Sequence, residues 1–168
     1  MKIHKVLVIA ASIIGCSVGF ASVSFGASPF DSVVGGGTNG NVLTNAHFSI
    51  NAKSGPTGDD ARGKFEFHIT EQQPGPTTRF AADVRCLRVN GNKATTVGQI
   101  TSARPESLVG RFVIVRAVDN GPPVKGDSQD DIFNSVQPAN APEPPCPDPL
   151  DVAPRGLGNG NIHITDAE

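Results

Sequence analysis

The sequence predicts an all-β domain, an antiparallel meander of seven to eight strands, with a barrel favoured over a two-sheet sandwich. Three observations predict it. Apolar and polar residues alternate with period two through several segments, as half-buried strands require. The 19 Gly and 14 Pro cluster between the apolar runs rather than inside them, which suits the turns of a β protein. No segment longer than a turn or two carries the 3.6-residue period of a helix. Short connections let consecutive strands pair as hairpins, and a long meander removes its edges by closing on itself.

The elements follow in chain order, after a segment set apart by composition. Met1-Lys2-Ile3-His4-Lys5 is a basic start, Val6 to Phe20 is apolar, and Ala21 to Ala27 is rich in Ala, Ser and Gly. This order predicts a cleaved signal peptide over residues 1–26, with Ser24-Phe25-Gly26 as the exit sequence. The apolar run is about 15 residues, short of the roughly 20 a spanning helix needs, so no membrane span is expected in the mature chain. Ile13-Ile14-Gly15-Cys16 offers a second reading, a lipobox in which Cys16 is lipidated and anchors the protein to the envelope. The apolar run continues past Cys16 to Phe20, further than such a signal needs.

Residues 27–45 are expected to be a flexible leader rich in Gly, Ser and Asn, around Gly35-Gly36-Gly37-Thr38-Asn39-Gly40, with room for one short strand. A single β domain is expected over residues 46–168. Its first strand places Ala46, Phe48, Ile50 and Ala52 on one face and His47, Ser49 and Asn51 on the other. Ser54 to Asp60 is a loop. Lys64 to Thr70 is the clearest strand, with Phe65, Phe67 and Ile69 inward and Lys64, Glu66 and His68 outward. Gln73-Pro74-Gly75-Pro76 turns the chain.

Phe80, Ala82, Val84 and Cys86 alternate inward, but Leu87 and Val89 have the opposite parity. A β-bulge near Cys86 would return them to the core. Asn90-Gly91 signals a tight hairpin into the strand Ala94 to Ile100. Arg104 to Ser107 is a loop. Phe112 to Val118 is apolar on both parities, which predicts a central or fully covered strand. Ile132 to Val136 is a short strand, Pro138 to Pro154 a long proline-rich excursion, and Gly160 to Thr165 the last strand.

Removal of the signal leaves about 140 residues, one domain with a real core. It also removes Lys2 and Lys5 from a chain already at net charge −2. A mildly acidic domain with no basic run is a poor partner for nucleic acid or anionic lipid. The chain has no Trp and no Tyr, so large stacking platforms for sugars or bases are not expected. Cleavage leaves two cysteines, Cys86 and Cys146, which in an oxidising compartment predict a disulfide.

Certain residues invite chemical readings. Asp119, Asn120, Asp127, Asp130 and Asp131 crowd one loop region, and calcium is held by such oxygens. Their spacing fits no EF-hand, and Asp and Asn are ordinary turn formers, so no metal and no cofactor is expected. His47, His68 and His163 all take outward parity on strands, and two could meet at a metal if their strands were neighbours. No recognisable nucleophile motif is present. Glu66 and Asp83 are exposed strand acids, but the aromatic sugar groove that usually accompanies paired carboxylates is missing. An enzyme is not expected. Phe48, Phe65, Phe67, Phe80 and Phe112, with Ile114, form an inward set. They either fill a barrel or line a cavity for a small apolar ligand.

The motifs Cys86-Leu87-Arg88-Val89-Asn90-Gly91-Asn92-Lys93-Ala94, Val118-Asp119-Asn120-Gly121, Asp130 or Asp131 before Ile132-Phe133, Cys146, and Gly160-Asn161-Ile162-His163-Ile164-Thr165-Asp166-Ala167 occur in that order. In this order they resemble a group of small secreted bacterial β proteins whose motifs carry no assigned activity. The resemblance covers most of residues 46–167. It implies an exported bacterial protein with one disulfide and supplies no catalytic residues. The expected function is that of a secreted, non-catalytic structural or binding module of the envelope or medium. An apolar-ligand carrier and an envelope lipoprotein are the alternatives. Function is expected in the loops Ser54–Asp60, Gly121–Gln129 and Pro138–Pro154, with an unidentified protein or a small apolar molecule as the partner.

Overall fold

The computed structural model describes residues 29–41, 44–58, 60–71, 77–122, 130–150 and 157–167. The predicted signal peptide, Cys16 and Asp127 lie outside these residues. The described chain is all-β, with strands β1 (Asp31–Asn41), β2 (Thr44–Ser54), β3 (Arg62–Glu71), β4 (Thr77–Asn90), β5 (Lys93–Arg104), β6 (Phe112–Val118), β7 (Asp131–Val136) and β8 (Asn159–Thr165). One short 3-10 turn, Glu106–Leu108, follows β5. All pairings are antiparallel. The order across the sheet is β7-β6-β5-β4-β3-β2-β1-β8. Consecutive strands pair as a meander, and β8 returns beside β1. The sheet curls into a half-barrel.

The inner face is built by the alternation legible in the sequence. Ala46, Phe48, Ile50 and Ala52 of β2 are buried, as are Phe65 and Phe67 of β3 and Phe80, Ala82 and Val84 of β4. The rings of Phe65, Phe67 and Phe80 lie 5.6 to 6.0 Å apart between centroids. Each such pair contributes about 0.5–1.5 kcal/mol beyond its buried area. The register of β4 against β5 shifts between Val84 and Cys86. That bulge turns Leu87 into the core, where it is fully buried. The β4–β5 hairpin closes over Gly91 and Asn92, with Gly91 at φ +58°. A glycine at the first of two central positions is the II′ pattern, whose twist matches that of the flanking strands.

In three places the structure differs from the sequence expectation. The leader over 27–45 is a strand from Asp31 to Asn41, paired on both sides by β2 and β8. Its glycines serve close approach rather than flexibility. A Cβ on Gly35 would lie 2.7 Å from Ile162 Cα, and one on Gly37 would lie 3.0 Å from Gly160 Cα. Only glycine lets β8 pack this tightly against β1.

Second, Cys86 is not inward-facing, because the same bulge that returns Leu87 to the core turns Cys86 out. Third, Phe112 and Ile114 do not line the interior. The register pairs Val113 with Gly98 and Val115 with Thr96, which leaves Phe112 and Ile114 on the outer face. There Cys86, Val97 and Phe112 form a second cluster, with Ile114 and Cys146 packed against it.

The described part of the proline-rich excursion, residues 138–150, meets this outer cluster through Cys146, which accounts for the apolar residues on both faces of β6. Gln137 N donates to Phe112 O at 2.8 Å, and Arg88 Nη1 meets Asp148 Oδ1 at 2.6 Å. The segment is pinned by the predicted bridge, Cys86 to Cys146, with Cα atoms 5.8 Å apart. Among the described residues, no helix is long and apolar enough to cross a membrane.

Candidate functional site

Two groups of side chains stand out once the strands are in register. The first is a set of aspartates that hold backbone amides. β8 pairs β1 on one side only, and among the described residues no ladder joins it to β7. An unpaired edge leaves N–H groups that need acceptors. Asp130, fully buried, accepts from Ile162 N through Oδ2 at 2.6 Å and from Asn120 N through Oδ1 at 2.9 Å. Its own carbonyl accepts from Leu157 N at 3.0 Å. Asp119 accepts from Ile164 N through Oδ2 at 3.1 Å and from Gly121 N through Oδ1 at 2.9 Å. Asp166 accepts from Gly91 N at 2.6 Å, and Asp31 from Ala167 N at 2.8 Å. Carboxylates therefore take the place of an eighth ladder along the outer edge of β8.

Asp119, Asp130 and Asp131, the weak calcium candidates of the sequence, are engaged with amide groups of the chain. The oxygens of Asp119 and Asp130 each accept from a backbone N–H donor. Asp131 opens β7 and lies 3.4 Å, at Oδ2, from Asn120 Nδ2. Among the described residues, no group of three or more His, Cys, Asp or Glu side chains is placed to hold a metal ion.

Asp31 carries a testable electrostatic consequence. It is only 3% exposed. Burial pushes its carboxyl above the ordinary value of 3.8, and the negative charge of Asp166 adds to this, while the backbone amides of Ala167 and Val89 pull the other way. With a folded-state value above the unfolded one, the folded protein holds the proton more tightly. The stability contributed by protonated Asp31 is full below the unfolded value and is lost as pH rises through the folded one. The stability difference between wild type and Asp31→Asn, followed by urea unfolding, is therefore expected to grow in favour of wild type as pH falls from 7 to 4. A difference that shrinks on acidification contradicts this.

The second group lies on the outer face of β2–β5. An open groove of about 590 Å³ is lined by His47, Ser49, Glu66, His68, Arg79 and Ser102, with Phe48, Phe67 and Phe80 also contributing to its wall. Ligand pockets usually enclose about 300–1,000 Å³. The register explains how these residues meet. His47 pairs with His68, His68 with Arg79, and Arg79 with Arg104, one row across four strands. Ser49, Glu66, Ala81 and Ser102 form the next row.

The structure thus brings His47 and His68 together and leaves His163 on β8, with Nδ1 3.4 Å from Asp119 Oδ2. Phe48, Phe65, Phe67 and Phe80 are inward, as expected, and are 1 to 7% exposed. The groove lies on strands rather than in the loops where function was expected. Ser49 and Arg79 escape sequence reasoning because each is an ordinary outward strand residue, and Ser102 and Arg104 because β5 runs to Arg104, beyond the Ile100 at which the sequence pattern ends the strand. Only their register, four strands wide, makes them neighbours.

Known proteins add nothing to this geometry. The chain matches no protein-family model, no curated protein and no solved structure.

Proposed function

We propose that this chain is an exported, non-catalytic β domain that acts as a binding module in the bacterial envelope or the extracellular medium, recognising its ligand in the outer groove of β2–β5. The observation that carries this reading is the contrast between the two faces of the sheet. The inner face is occupied by mutually packed phenylalanines, while the outer groove presents His47, Glu66, His68 and Arg79 to solvent without a hydrogen bond or ion pair among the described residues. Function requires groups whose bonding capacity is not already used by the fold.

Export is supported by the order of the first 26 residues and by a cysteine pair at bonding distance, which persists in oxidising compartments. Anchoring through Cys16 is compatible with the same reading. An apolar-ligand carrier is less well supported, because Phe65, Phe67 and Phe80 occupy the space a ligand would need.

A thermal-shift panel of small metabolites and short glycans tests the location of binding. Ala81→Trp fills the groove from its floor. Compounds that raise the melting temperature of the wild type are expected to lose that effect in this variant. Stabilising compounds that act equally on both proteins, or hits confined to apolar molecules, contradict the reading.

A further inference from the structure

From the charge row on β2–β5, we infer that the groove binds a small organic or inorganic polyanion bearing at least two carboxylate or phosphate groups. The inference rests on the groove being the binding face. Its basis is an arrangement the fold alone does not favour. Arg79 and Arg104 stand directly opposite each other on β4 and β5, and His68 stands opposite Arg79. Like charges at directly opposite positions destabilise a sheet. Neither arginine forms an ion pair or a side-chain hydrogen bond among the described residues. A bound anion would convert this repulsion into attraction.

The dimensions suit more than one anionic group. Four neighbouring strands place His47, His68, Arg79 and Arg104 along a line of three strand spacings, about 14 Å in total. Guanidinium groups match carboxylate and phosphate geometry with paired N–H donors. His47, His68, Ser49 and Ser102 add further donors along the groove. Glu66 is the one acid that lines the groove. It sits in the adjacent row opposite Ala81, so the anion is drawn toward the row that carries the arginines.

Isothermal titration of the mature, oxidised protein at low salt, with citrate and separately with inorganic pyrophosphate, tests the inference. Saturable binding of either is expected, weakened by added salt. Citrate alone assigns a carboxylate ligand, and pyrophosphate alone a phosphate ligand. Arg79→Ala with Arg104→Ala is expected to weaken binding about tenfold or more. Glu66→Gln is expected to tighten it severalfold. Arg88→Ala, at the Asp148 ion pair, is expected to leave it unchanged, and a melting curve checks that each variant folds. Binding of neither anion, or equal binding by the wild type and the double-arginine variant, overturns the inference. A neutral ligand blocked by Ala81→Trp, with no anion bound, would overturn it while leaving the groove as the binding face.

Discussion

Asp130→Ala is expected to destabilise the domain by about 3–5 kcal/mol. The side chain is fully buried and accepts from two backbone amides, Ile162 N and Asn120 N. Hydrogen bonds to a charged acceptor are worth about 1.5–3 kcal/mol each, and removing the acceptor leaves its donors dry and unpaired. The Ile162 amide belongs to a strand whose side chain is itself fully buried, so water cannot easily replace the lost oxygen. A loss of this size lowers the melting temperature by on the order of 10 °C for a domain of this length. Asp130→Asn keeps one acceptor oxygen but turns an NH2 group toward a donor. It is expected to fall between wild type and the alanine variant. Chemical unfolding of the three proteins measures the series. A cost below about 1 kcal/mol for Asp130→Ala would mean that the edge of β8 is solvated.

Replacing both Cys86 and Cys146 by serine is the second large perturbation. The bridge spans 60 residues of sequence, and the chain-entropy model assigns such a loop about 4 kcal/mol. That is a large share of the 5–15 kcal/mol typical of a whole domain. Few other interactions hold residues 137–150 in place. The Arg88–Asp148 pair is exposed, and pairs of that kind contribute about 0–1 kcal/mol. The serine variant is therefore expected to release this segment, uncover Val97, Phe112 and Ile114, and bind a hydrophobic dye that the oxidised protein excludes. An unchanged unfolding midpoint would show that packing alone retains the segment.

The strands were largely legible in the sequence, and the reason is the two-residue period. Phe48, Phe65, Phe67 and Phe80 alternate with polar neighbours, and the parity break at Leu87 signals the bulge. The covered character of β6 was also legible, since Phe112 to Val118 is apolar throughout. What covers it is not, and so the pattern alone puts Phe112 on the inner face, whereas it lies on the outer one. Parity assigns residues to two faces but does not say which face is inner when both are buried. The glycines of β1 misled for a related reason. A glycine run lowers strand propensity, and only the neighbouring strand shows that Cβ atoms would not fit.

The candidate site was less legible still. His47, Glu66 and His68 were visible as outward residues of their strands. Their assembly with Arg79 and Arg104 depends on the pairing of β2 to β5, which no local pattern encodes. The aspartates show the opposite case. Asp119 and Asp130 stood out by clustering, but composition alone could not distinguish a cation site from acceptors for amide donors.

The central claim is that carboxylates, rather than another strand, close the outer edge of β8. Amide hydrogen exchange followed residue by residue in the NMR spectrum tests it most directly. By alternation, the amides of Asn161 and His163 face β1, and those of Ile162 and Ile164 face Asp130 and Asp119. The account predicts that Ile162 and Ile164 exchange as slowly as Asn161 and His163, on the order of a thousandfold below an unstructured amide. Rapid exchange at Ile162 and Ile164, with Asn161 and His163 protected, would contradict it.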